Sequence, residues 1–133
     1  MDKIVHFEIP ADHLERAQKF YQETFGWQII SSEIPGMEYR TVRTVAVDKN
    51  FTPKSKGAIN GGLMKRSAEA HAPVLVINVA SIDEALKQVQ IQGGALVTPK
   101  IPVGKMGFYA RFKDTEGNIL GLWEDVKKHH ASK

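Results

Sequence analysis

The chain says the same thing twice. In "IVHFEI", residues 4–9, Val5, Phe7 and Ile9 alternate with His6 and Glu8, which predicts a half-buried strand. Asp12 and Glu15 then have the spacing of a capping box. Leu14, Ala17, Tyr21 and Thr24 recur at helical intervals, and Gly26 supplies a left-handed stop before "WQIIS" opens another strand. The stretch "VLVINVASIDEALKQVQIQGGALV" repeats the pattern: strand Val74–Val79, capping box Ser81 and Glu84, stripe Ile82, Ala85 and Val89, stop at Gly94. One offset of 68 residues carries Ile9 to Ile77, Leu14 to Ile82, Ala17 to Ala85, Gly26 to Gly94 and Ile29 to Val97.

Each half continues with extended, β-branched or aromatic-rich runs: "MEYRTVRTVAVD" and "GAINGGLM" in the first, "MGFYARFKD" and "NILGLWE" in the second. The predicted fold class is therefore α+β, with two βαβββ modules over residues 4–64 and 74–125. Residues 65–73 form a polar linker, residues 126–133 a flexible tail, and "DKNFTPKSK" a long exposed hairpin loop. At 133 residues, 42% of them hydrophobic, the chain has the size of one domain with a core of its own.

Composition narrows the function. The absence of cysteine excludes disulfides, thiolate metal sites and a cysteine nucleophile, and fits a cytoplasmic protein. No apolar run reaches the roughly 18 residues that span a bilayer, and no signal-peptide pattern opens the chain, so no membrane partner is expected. The formal charge is +3 and the pI about 9.2, but the lysines are spread along loops and ends, as in "KNFTPKSK" and "KKHHASK". That is a solvated surface and not a nucleic-acid patch.

The motifs "VHFEIPADHLERAQKFYQETFGW", "GGLM", "VASIDEALKQVQIQGGALVTP" and "FKDTEGNILGLWE" together resemble the glyoxalase, bleomycin-resistance and extradiol dioxygenase superfamily, the vicinal oxygen chelate proteins. The resemblance spans residues 4–125. It implies two βαβββ modules forming a curled mixed sheet around a cavity, a homodimer, and up to four metal ligands from the first and last strand of each module. A dimeric ferredoxin-like barrel also uses strand–helix–strand units, but the internal repeat argues against it.

Carried over residue by residue, the resemblance leaves the metal site incomplete. His6 stands at the first ligand position, and the offset takes it to Val74, which has no lone pair to offer. The last strands align "GGLM" with "LGLW", so Gly62, or Gly61 if the register slips, and Gly121 occupy the other two positions. Tight divalent sites use at least three protein ligands. No cofactor is expected, although a nonstandard site built on His6, Glu8 and a further residue stays open. His129 and His130 fall in the tail, and His13 and His71 at a helix start and in the linker, where none suggests a site.

The remaining candidates follow from alternation. Phe108, Ala110 and Phe112 are expected under the helices, leaving Tyr109 and Arg111 on the other face as an anion-reading pair. Trp123 offers a stacking surface for a flat ligand and Asn78 a polar contact, although both also suit purely structural roles. "TPKIPVGKMGF", with two prolines and two glycines, reads as a flap or a plain turn-rich loop. The leading expectation is a metal-independent protein that binds a small molecule. The alternative is a lyase, isomerase or hydrolase acting on a small oxygenated substrate, with Glu8 as general base and His6 as acid or metal ligand, and a third class is a noncatalytic dimerisation or regulatory module.

Overall fold

A computed structural model describes residues 1–32 and 38–126. The first half runs β1 (Ile4–Ala11), α1 (Leu14–Phe25), β2 (Gln28–Ser31), β3 (Tyr39–Arg43) and β4 (Asn60–Lys65). The second runs β5 (Val74–Asn78), α2 (Ile82–Ile91), β6 (Ala95–Val103), β7 (Gly107–Lys113) and β8 (Ile119–Asp125). Strand, helix and three strands thus occur twice, as the repeat predicts. The start of "MEYRTVRTVAVD" and the tail with His129 and His130 lie outside the described residues.

The chain divides into two compact units, one of Val5–Leu75 and one of Met1–Ile4 with the residues from Val76 onward. In the first, the strands follow the order β2-β3-β4-β1; β1 and β4 are parallel and the other pairs antiparallel. Leu14, Ala17 and Tyr21 of α1 pack on Phe7, Ile9, Ala11, Ile29, Val42 and Leu63. Thr24 is exposed and ends the stripe early. Leu63 is fully covered, and burying a side chain of that size contributes about 1.5–3 kcal/mol. The capping box foreseen at Asp12 does not form. His13 is the N-cap and makes no side-chain cap bond, because the Asp12 carboxylate instead accepts from Arg66 Nε at 2.8 Å. Gly26, at φ 73°, ends the helix as expected.

The second unit repeats the arrangement as β5-β8-β7-β6, with Ile82, Ala85 and Leu86 of α2 on Ile77, Phe108, Ala110, Phe112 and Leu122. Here the N-cap forms: Ser81 Oγ accepts from the Glu84 amide at 3.2 Å, and the Glu124 carboxylate takes the Ile82 amide at 2.8 Å. The left-handed residue after α2 is Gly93, at φ 101°, and not Gly94. The stretch read as a flap is mostly strand: β6 runs through Pro99 and Pro102 as the outer strand beside β7. Proline is tolerated there because an outer strand needs no donor on one side, and the ladder shifts register twice between Leu96 and Ile101.

Candidate functional site

Alternation along β1 sends Phe7 and Ile9 beneath α1 and leaves His6 and Glu8 on the opposite face, as the sequence predicts. Among the described residues Glu8, 6% exposed, is the charged side chain that is buried. His6 Nε2 lies 2.9 Å from Tyr39 Oη on β3, and the imidazole tautomer decides which of the two donates. Burial lowers the His6 pKa below its usual 6.5, and the opposing pull of the Glu8 carboxylate is the weaker effect. Burial thus favours the neutral ring.

Tyr39 is the residue that sequence reasoning missed. It stands opposite Met64 on β4, so its diagonal neighbour on the same face is Gly62, and a β-carbon built on Gly62 would overlap the phenol. The second unit repeats the device. Tyr109 stands opposite Trp123, and a β-carbon on Gly121 would lie 2.8 Å from Tyr109 Oη. Glu8 pairs with Gly62 and Val76 with Gly121, so the two glycines are equivalent, and Gly61 is excluded because it shares the Phe7 side. The signal was available, since Tyr39 and Tyr109 correspond once the second half is allowed two extra residues before β7.

The other candidates lie in the second unit. Arg111 Nε donates to Tyr109 Oη at 2.8 Å, with the guanidinium carbon 5.2 Å from the ring centroid. Asn78 Nδ2 donates to the Trp123 carbonyl at 3.1 Å and to Asp125 Oδ2 at 3.2 Å, and Trp123 Nε1 donates to Asp125 Oδ1 at 2.9 Å. Asn78 and Trp123 are thus joined through Asp125, while Tyr109 and Arg111 form a second pair. An open depression of about 450 Å³ touches Asn78 and Asp125 together with Asp2 and Lys3. Another, of about 360 Å³, lies between Arg16, Phe20 and Arg66. Neither reaches His6 or Glu8.

A divalent ion does not fit the side chains present at the family positions. Of His6, Gly62, Val74 and Gly121, His6 alone carries a donor, and a phenol covers each glycine. Among the described residues no group of three or more His, Cys, Asp or Glu side chains converges as a metal site.

Comparison with known proteins agrees with this architecture. Residues 3–44 match the family model "Bleomycin resistance protein-like N-terminal". A glyoxylase-like domain-containing protein of Didymella fabae is 30% identical over 126 residues, covering 90% of this chain and 91% of that one. Among solved structures, methylmalonyl-CoA epimerase from Mycobacterium tuberculosis superposes with a TM-score of 0.65 at 20% identity, over 96% of this chain and 91% of that one. A glyoxalase/bleomycin resistance protein/dioxygenase superfamily member from Vibrio splendidus gives 0.59 at 12% identity, over 95% and 100%. With its duplicated βαβββ order and a relative this similar along nearly its whole length, the chain belongs to the glyoxalase, bleomycin-resistance and dioxygenase superfamily.

Proposed function

We propose that the protein binds a small, oxygen-bearing organic molecule without a metal ion, through the strand faces turned away from the helices. The observation that carries this reading is the His6 imidazole bonded to Tyr39 on the same strand face as the buried Glu8. A base, a phenol and an acid on rigid strands select ligands by their donors and acceptors. In the second unit, taken by itself, Arg111 with Tyr109 suits a carboxylate or phosphate, and Trp123 and Asn78 are proposed as further contacts there. The same reading has the chain acting as a single domain, in a cytoplasmic homodimer, with neither nucleic acid nor membrane as partner.

A second reading is an acid–base lyase or isomerase in which Glu8 takes a proton and His6 returns one. Its support is the placement of the half-buried His6 and the buried Glu8 on one strand face, together with a fold neighbour that is an epimerase.

The deciding experiment titrates full-length protein carrying His129→Ala and His130→Ala with Zn, Ni, Mn and Fe(II), beside the same protein with His6→Ala. No stoichiometric binding that depends on His6 is expected; finding it would overturn metal independence. A thermal-shift panel of carboxylates, phosphates and uncharged carbonyl compounds then seeks the ligand. At one hundred times its Kd, a ligand adds about 2.7 kcal/mol of stability. Stabilisation by an anion should vanish in Arg111→Ala, and an undiminished shift there would remove Arg111 from the site.

A further inference from the structure

Gly62 and Tyr39 form a coupled device. Resting on the metal-free reading above, we infer that Tyr39 is the positioning residue of the His6 site and that Gly62 exists to seat it. Three observations converge. Tyr39 Oη lies 2.9 Å from His6 Nε2. The space a side chain at 62 would need is filled by the Tyr39 phenol. The pairing recurs in the other half, where Tyr109 covers Gly121.

The consequence is chemical. A phenol hydrogen-bonded to Nε2 holds the imidazole in one orientation and, in this inference, biases it toward one neutral tautomer, so that Nδ1 presents one predominant character, donor or acceptor, toward whatever approaches. The site then reads the hydrogen-bonding character of an uncharged oxygen on the ligand, such as a carbonyl or a hydroxyl. A side chain at 62, even a methyl group, displaces the phenol and releases His6 into a mixture of tautomers.

The test follows the His6 ring by ¹⁵N NMR in full-length protein. In the wild type the two ring nitrogens should show the widely separated shifts of one neutral tautomer. In Tyr39→Phe, which removes only the hydroxyl, they should converge, and Gly62→Ala should produce the same change. Thr41→Val, which alters the β3 residue directly opposite Gly62, should leave them as in the wild type. Unchanged shifts in Tyr39→Phe, in Gly62→Ala or in both overturn the inference, as does an equal change in Thr41→Val. Because Tyr39→Phe introduces no clash, the result stands even if Gly62→Ala fails to fold. Adding Co(II) to the same wild-type sample separates the two readings: stoichiometric loss of the His6 signals would sink metal independence, whereas the mutant shifts bear only on the positioning role.

Discussion

His6 carries a pH dependence whose sign follows from its surroundings. Its folded-state pKa lies below 6.5, so an unfolded chain takes up a proton near that value which the folded chain refuses. The stabilisation is present above pH 6.5 and is lost as pH falls from there toward the folded pKa. Thermal melts at pH 7.5 and pH 5 should therefore show a larger acid loss in the wild type than in His6→Gln. Equal losses would mean that His6 is hydrated and that its burial beside Glu8 is not what sets its charge. At this scale the sequence was a partial guide. Alternation put His6 and Glu8 on one face, as found, because period 2 needs no partner strand to be read. Tyr39 escaped notice because its importance lies in a diagonal contact with Gly62, and only the register between β3 and β4 reveals a diagonal.

Elements compete for the same side chains, and the two helix starts show how. Ser81 and Asp12 both precede helices with a Glu three residues on, yet only Ser81 caps. Asp12 is drawn to Arg66, fifty-four positions away, a partner that local spacing cannot disclose. In urea unfolding, Ser81→Ala should cost about 1 kcal/mol. Asp12→Ala should cost less, because the Asp12 and Arg66 side chains are 68% and 43% exposed and such pairs contribute at most about 1 kcal/mol. A larger loss from Asp12→Ala would show that the ion pair holds the start of α1. The prolines of β6 misled in the same way. Pro99 and Pro102 suggest a loop when read locally, but an outer strand with two register shifts accommodates both.

For the whole molecule, the internal repeat made the architecture legible. Strand, cap, stripe and stop are local features, and their recurrence at one offset identifies a duplicated βαβββ order without any tertiary information. Assembly is a different matter, since nothing periodic in one chain encodes a surface meant for another. The proposed homodimer predicts a sedimentation mass of two chains at micromolar concentration, and a single-chain mass there would remove it. The glycine–tyrosine pairing, present in both units, also bears on which neighbouring sequences the chain can reach. Introducing a carboxylate at 62 first meets the Tyr39 ring, and trimming Tyr39 first leaves a void and takes the phenol from His6. Either single step is expected to cost stability, so a larger side chain at 62 calls for two changes at once. In each half, then, a glycine and a tyrosine constrain each other's replacement.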